Sequence, residues 1–513
     1  MARTLLRLGT RRSALARAQS AQVARRLESL YPGLSVELTG IDTRGDRILD
    51  QPLSKVEGKE FFTAEIDAAL LRGDVDFTVH SYKDLSLERP PALCLAAVPL
   101  RENPRDIALF AADAAARVAA GATLRIGTSS PRRCAFLPDF LARALPGGAA
   151  RIELTDVRGN VDSRLRRLRE PRGSARQLDG VVLAFAGLSR LWQDPAGGHA
   201  LLQELLAGLP RMLIPLTACP AAPAQGALGI ECRGDDAEVR ALLARIDDEL
   251  TRRAVATERA LLAERGGGCH QQFGATLLHV PGLGELLRWR EAGVGAGAQM
   301  RWLPESPLSP AGAVRAAWDG STAAPSPLRA LPDAAAQCAR VLAQADAAFV
   351  AHRNALPAYA ADFDAGSVNR CAHVWVPGTA TWFELAKRGI WVEGCAEGLG
   401  FETLAGTLSA PLLQLPPLPQ WVILTHTAAA SGWTAGLVLA TYDSDGGGQG
   451  PPADVSHVYW HSGAQFARWR AGLAADVHHA CAAGKTAARL RDAGVQRLAV
   501  FPSVQEWRQW LKA

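Results

Sequence analysis

Short apolar runs alternate with longer amphipathic stretches from the start of the chain. Leu5 to Gly9 reads as a strand, and Ser13 caps a helix that runs to Leu30, where Tyr31-Pro32-Gly33 stops it. Val36 to Ile41 predicts the next strand, Phe61 to Leu71 a helix, and Val75 to Val79 a third strand. The order then restarts. Leu124 to Gly127 is a strand, Arg132 to Leu145 a helix, Ile152 to Val157 a strand, a helix begins at Asn160, and Val181 to Phe185 is again a strand. Two βαβαβ halves predict an α/β fold with mostly parallel sheets, the plan of periplasmic ligand-binding proteins, with a cleft between the strand ends. Gly9-Thr10-Arg11-Arg12-Ser13 and Gly127-Thr128-Ser129-Ser130-Pro131-Arg132-Arg133 occupy matching strand-to-helix turns. Each brings arginine, hydroxyls and backbone N–H groups to a helix start, which suits an anion.

From Asp235 to Arg265 the pattern is helical, with Val239, Leu242, Leu243, Ile246 and Leu250 on one face. Gly266-Gly267-Gly268 then delivers Cys269, and strand-like segments follow to about residue 305, predicting a small α+β domain. The stretch 305–330, rich in Pro, Ala, Gly and Ser, reads as a linker. Beyond it Thr381, Leu385 and Gly389 share a spacing with Thr486, Leu490 and Gly494, which predicts two related α/β subdomains. The expected domains are 1–103 with 217–234, 104–216, 235–320, and 330–513.

Composition narrows the chemistry. At 513 residues the chain exceeds one core, and no apolar run approaches the roughly 20 residues of a membrane span. No signal-peptide core follows Met1, and the nine cysteines never form a Cys-x-x-Cys pair, so a reducing cytoplasm is expected. The net charge of +5 comes without a long basic run, which argues against nucleic acid. Lysine occurs only at positions 55, 59, 83, 387, 485 and 512, so guanidinium groups suited to small polyanions dominate. His478, His479 and Cys481 crowd one segment without a distant partner pair, and no metal is expected. Gly484-Lys485-Thr486 imitates a phosphate loop, but His479 stands where the earlier glycine is required.

A dense series of motifs now carries a resemblance. It includes Thr10-Arg11-Arg12-Ser13, Asp76-Phe77-Thr78-Val79-His80-Ser81-Tyr82-Lys83-Asp84, Arg158-Gly159-Asn160-Val161, Ala224-Gln225-Gly226-Ala227-Leu228-Gly229, Thr257-Glu258-Arg259-Ala260 and Gly267-Gly268-Cys269. Over about 300 residues the chain resembles hydroxymethylbilane synthase, also called porphobilinogen deaminase. The resemblance implies a dipyrromethane cofactor joined by a thioether to Cys269, a pliable site for a nucleophilic thiolate. It implies Asp84 as the catalytic carboxylate beside Lys83, with Lys83, Asp84, Thr128, Ser130, Arg132, Arg133 and Arg164 holding the cofactor. Arg11, Ser13, Arg158 and Arg190 would grip the substrate porphobilinogen and the growing chain, and Lys55 and Lys59 would lie on a covering loop. The chain departs from the family pattern at Glu60, Ser86 and His270-Gln271-Gln272.

The carboxyl-terminal part resembles uroporphyrinogen-III synthase through Gly378-Thr379-Ala380-Thr381, Tyr442, Ser462-Gly463 and Gly484-Lys485-Thr486-Ala487. That resemblance implies cyclisation of the linear product, with Tyr442 donating a proton and Ser462 and Thr486 binding carboxylates. The arginine-proline strand that opens that family is missing, which leaves a non-catalytic tail as the other reading. A simple binding module would need neither Asp84 nor Gly268-Cys269. No obligatory protein partner is expected.

Overall fold

The structure, a computed structural model, describes residues 3–43, 63–268, 271–320, 328–356, 368, 371–431, 433, 436–444 and 449–512. Strands β1 (Leu5–Arg11), β2 (Ser35–Ile41), β3 (Phe77–Ser81) and β4 (Leu93–Ala97) belong to the first half. Strands β5 (Asp106–Phe110), β6 (Thr123–Gly127), β7 (Arg151–Thr155), β8 (Gly180–Ala184) and β9 (Arg211–Leu213) form the second, before β10 (Leu228–Arg233) returns to the first. The sheet orders are β2-β1-β3-β10-β4 and β7-β6-β8-β5-β9, the same path drawn twice.

Both sheets are mixed, not mostly parallel. β10 runs antiparallel to β3 and β4, and β5 runs antiparallel to β8 and β9. The chain crosses between halves at 98–105 and again at 214–227. Each crossing arrives from the end where the parallel strands finish, so the strand it feeds must run the other way. Leu6, Leu8, Phe77, Ile230 and Cys232 fill the first core because alternate positions of these strands face the same layer. β3 starts two residues later than expected, since Asp76 spends its carboxylate on the N–H of Arg7 at 2.7 Å. Phe185 opens the helix Phe185–Trp192 instead of ending a strand.

The helical stretch after β10 splits into Ala237–Ala244 and Glu249–Ala263. Asp248 caps the second helix by accepting from Thr251 N at 2.8 Å, and this restart turns Leu250 outward to 47% exposure. An antiparallel sheet of β11 (Phe273–Val280), β12 (Gly284–Glu291) and β13 (Val294–Pro304) follows.

The remaining strands are β14 (Ala317–Trp318), β15 (Leu328–Ala330), β16 (Ala347–Val350), β17 (His373–Val376), β18 (Gly394–Cys395), β19 (Trp421–His426), β20 (Leu437–Ser444), β21 (His457–Trp460), β22 (His478–Ala482) and β23 (Leu498–Phe501). They make a six-stranded sheet, β15-β20-β19-β16-β17-β18, and a four-stranded one, β14-β21-β22-β23. The two Thr-x3-Leu-x3-Gly copies fall on the helices Thr379–Lys387 and Lys485–Asp492, one on each sheet. Leu385 and Leu490 are fully buried, and Gly389 and Gly494 end the helices at φ +78° and +72°. The stretch read as a linker contains the strands β14 and β15: β14 pairs with β21, and Trp318 buries itself edge-on against Trp460 at 5.6 Å.

Candidate active site

β3 ends at the cleft and passes into a single tight turn, Tyr82–Asp84, which presents Lys83 and Asp84. Arg259, from the helix Glu249–Ala263, fixes this turn. It donates to the carbonyls of Tyr82, Leu85 and Ser86 at 3.1, 3.0 and 2.8 Å and covers the Tyr82 ring at 4.5 Å. Asp84 is exposed, while Lys83 is half-buried with its Nζ 3.3 Å from Gln225 Oε1. Burial pushes the Lys83 pKa below its ordinary value, against the attraction of Asp84.

The opposite wall is built where β6 ends. Ser130 caps the helix Pro131–Ala144 by accepting from Arg133 N at 3.5 Å, and the buried Thr128 hydroxyl accepts from Ser130 N at 3.3 Å. This short capped turn leaves Arg132 and Arg133 pointing inward, where both are buried. Asp106, the first residue of β5, meets them: Arg132 donates to one carboxylate oxygen at 2.7 Å and Arg133 to the other at 2.8 Å. Gln225 Nε2 donates to the same carboxylate at 2.8 Å, so Asp106, Gln225 and Lys83 form one continuous chain of polar contacts. Burial alone would raise the Asp106 pKa, but the two guanidinium groups outweigh it and hold the carboxyl well below the usual range. Arg132 also donates to the Pro220 carbonyl at 2.8 Å and to Cys219 Sγ at 2.9 Å, and Arg133 to the Val182 carbonyl at 2.8 Å.

The other expected residues surround this core. Arg164, on the helix Val161–Arg166, donates to Gly159 O at 2.8 Å. Burial, together with the charges of Arg133 and Arg158, presses its pKa down to about 10, so it remains charged at neutral pH. Arg190 is buried and donates to Gly226 O at 2.6 Å; burial brings it to about 10 against the pull of Glu102. Arg11 closes β1, near enough for its charge to act on His80, and Ser13 caps the helix Ala14–Leu30 by accepting from Ala16 N at 3.3 Å. The structure thus links Lys83, Asp84, Arg132, Arg133, Arg158 and Arg164 electrostatically, and Arg190 joins through the crossover that carries Gln225. Lys55, Lys59 and Cys269 lie outside the described residues. Gly266, Gly267 and Gly268, which lead to the cysteine, have φ of +81°, +70° and +99°, a run that side chains would resist.

Sequence reading missed Asp106, Gln225 and Arg259 as contributors. Gln225 and Arg259 lie inside the motifs quoted above, and for Asp106 the local signal is a charged residue opening the otherwise apolar strand Asp106–Phe110. Asp67, His80 and Glu231 also converge, buried, with one possible ligand atom from each within 4.8 Å of the others. Arg89 already lies among them, donating to Asp67 at 2.7 Å and to Glu231 at 2.6 and 2.9 Å, so the carboxylates are engaged in an ion pair.

In the carboxyl-terminal unit Tyr442 lies buried on β20, its hydroxyl 3.3 Å from His352 Nδ1. Ser462 caps the helix Gly463–Trp469, accepting from Gln465 N at 3.2 Å, and Thr486 sits in the first turn of the helix Lys485–Asp492. Those two helices pack side by side on the four-stranded sheet, whereas Tyr442 belongs to the six-stranded one.

Residues 6–241 match the family described as porphobilinogen deaminase, dipyromethane cofactor binding domain. A porphobilinogen deaminase of Roseiflexus sp. (strain RS-1) is 45% identical over 288 residues, covering 56% of this chain and 86% of its own. Porphobilinogen deaminase 1 of Streptomyces avermitilis is 44% identical over 280 residues, covering 54% and 79%. Among solved structures, the methionine binding protein MetQ aligns with 50% of this chain and 94% of its own, at 12% identity and a TM-score of 0.26.

Proposed function

The chain belongs to the porphobilinogen deaminase family, and on that basis we propose that it joins four porphobilinogen units into hydroxymethylbilane on a dipyrromethane attached to Cys269. The observation that carries this reading is the pair Arg132 and Arg133, pinned by Asp106 on one side of the cleft, facing Lys83 and Asp84 on the other. Each pyrrole of substrate or cofactor brings two carboxylates. The cations Lys83, Arg132, Arg133, Arg158 and Arg164 outnumber the neighbouring carboxylates Asp84, Asp106 and Asp156, so the donor set fits a polyanion. Guanidinium groups already held in place lose little freedom when they bind carboxylates bidentately. When bound, the dipyrromethane supplies the pyrrole carbon to which the first unit is joined.

The protein's own residues then manage charge and protons. As ammonia leaves porphobilinogen, positive charge spreads over its methylene and ring nitrogen. Asp84 lies at the rim where that cation forms, and a fixed carboxylate there stabilises it. One carbon–carbon bond forms, ammonia departs, and the ring carbon that was attacked loses its proton; Asp84 is the base placed to take it. Lys83, Arg132, Arg133, Arg164, Thr128 and Ser130 hold the cofactor carboxylates, while Arg11, Ser13, Arg158 and Arg190 hold those of the incoming and added units. Porphobilinogen is the substrate of this family, and the chain's setting is taken to be the cytoplasm.

The carboxyl-terminal unit is assigned the closure of the linear product to uroporphyrinogen III. Tyr442 would give the proton to the departing hydroxyl, and Ser462 and Thr486 would bind carboxylates from two helix starts. A non-catalytic supporting role is the second reading, favoured by how deeply this unit is docked on the rest: Trp382 Nε1 donates to Ala144 O at 3.1 Å from a fully buried position. Incubation with porphobilinogen alone, oxidation and separation of the uroporphyrin isomers distinguishes the readings. Isomer III supports both activities, isomer I alone demotes the tail, and no porphyrin from folded protein contradicts the synthase.

A further inference from the structure

The two βαβ halves are joined by the crossovers 98–105 and 214–227, and the carboxyl-terminal unit grips both. On the first, Asn103 Nδ2 donates to Thr407 Oγ1 at 3.0 Å. Two residues on, Arg105 gives Nε and a terminal nitrogen to Glu397 Oε1 at 2.9 and 2.6 Å. On the second, the backbone N–H of Thr217 donates to the other oxygen of Glu397 at 3.0 Å. One carboxylate therefore bridges both crossovers. Its side chain is 0% exposed. Burial opposes its ionisation, but the charges of Arg105 and of Arg288 on β12 outweigh this and hold its pKa below the usual carboxylate range. Glu397 is one of four non-glycine residues with positive φ among the described residues, at +54°, a conformation that side chains disfavour and that persists only where surroundings enforce it.

The grip is anchored. Leu213 N, on edge strand β9, donates to Glu393 O at 2.7 Å, Trp391 Nε1 donates to Arg211 O at 3.0 Å, and Phe140 meets Trp382 edge-on at 5.4 Å. The unit is thus fixed to the second half while it holds the links to the first. Arg105 also immediately precedes Asp106, the residue that positions Arg132 and Arg133.

A cleft that retains a growing chain must accommodate one more pyrrole and two more carboxylates at each addition. Movement of the halves about their crossovers would supply that room. We propose that the carboxyl-terminal unit governs this movement as a clamp centred on Glu397, and so sets which chain lengths accumulate on the enzyme. The consequence for chain length rests on the deaminase reading above; the clamp itself does not.

The test uses the full-length protein with Glu397→Gln and, as a milder change, Thr407→Val. Amide hydrogen exchange without substrate reports on the clamp alone. Native mass spectrometry with limiting porphobilinogen reports on bound chain lengths. Glu397→Gln is expected to speed exchange in 98–105 and 214–218 about tenfold or more and to shift the population of bound intermediates, with the cofactor still attached. Thr407→Val is expected to speed exchange in 98–105 only. A folded Glu397→Gln protein with wild-type exchange overturns the clamp. If Glu397→Gln does not fold, unchanged exchange at 98–105 in Thr407→Val overturns it instead. Altered exchange with an unaltered chain-length distribution overturns its role in elongation, and failure of the wild type to take up porphobilinogen contradicts the deaminase reading separately.

Discussion

Asp106 faces two buried guanidinium groups and the amide of Gln225, and among the described residues no other acid pairs with Arg132 or Arg133. Asp106→Asn would keep the shape and remove the charge, leaving two buried cations poorly compensated. A loss of about 3–5 kcal/mol is expected, read from urea denaturation, together with weakened retention of the cofactor. Asp84→Asn should behave oppositely. Asp84 is exposed, so stability should stay within about 0.5 kcal/mol while turnover of porphobilinogen falls about 100-fold or more. Steady-state kinetics beside thermal melts separates the two outcomes. Lys83 and Asp84 were legible in the sequence because they sit together in one motif. Asp106 was not, because its partners lie 26, 27 and 119 residues away and only folding brings them together.

Among the elements, β3 is the one on which most depends. It carries His80 inward and leads directly into the turn that presents Lys83 and Asp84. Burial, reinforced by the charges of Arg89 and Arg11, lowers the His80 pKa from 6.5 to about 3. The folded state therefore refuses a proton that the unfolded chain accepts below about pH 6.5. Stability linked to His80 is complete above that pH and is lost progressively as pH falls toward 3. Urea midpoints measured from pH 7 to pH 4 should decline, and His80→Gln should flatten that decline relative to wild type. The repeated strand–helix rhythm of β1 to β3 and β6 to β8 was readable from apolar periodicity. The reversed strands β5 and β10 were not, since a buried strand looks the same in either direction and its sense is decided by the crossovers. Leu250 shows a related limit: a periodicity of 3.6 can be followed across a break that one capping aspartate introduces.

For the molecule as a whole, the amino-terminal and carboxyl-terminal parts share hydrophobic core. Phe140, Leu141 and Ala144 pack in one cluster with Trp382, Leu385 and Ile390. Ending the chain after Pro304 would expose the Phe140 face and strip Arg105 of Glu397. At about 1.5–3 kcal/mol for each large apolar side chain uncovered, the truncated protein should be less stable by several kcal/mol and prone to association. Denaturation and sedimentation of the 1–304 fragment against the full chain would measure this. The internal repeat foretold the strand–helix units at Thr381 and Thr486, but composition hid β14, where Trp318 anchors a segment otherwise poor in large apolar residues. The docking surface left no sequence signal at all, because Arg105 and Glu397 are 292 residues apart.

In the proposed reaction a pyrrole-based cofactor on Cys269 primes condensation of porphobilinogen in this cleft. Peptide mass mapping of the purified full-length protein tests it most directly, before and after brief exposure to porphobilinogen. Two linked pyrrole units are expected on the peptide containing Cys269, with further units added after exposure, and neither in Cys269→Ser. An unmodified Cys269 in folded protein that adds no pyrrole from porphobilinogen would contradict it.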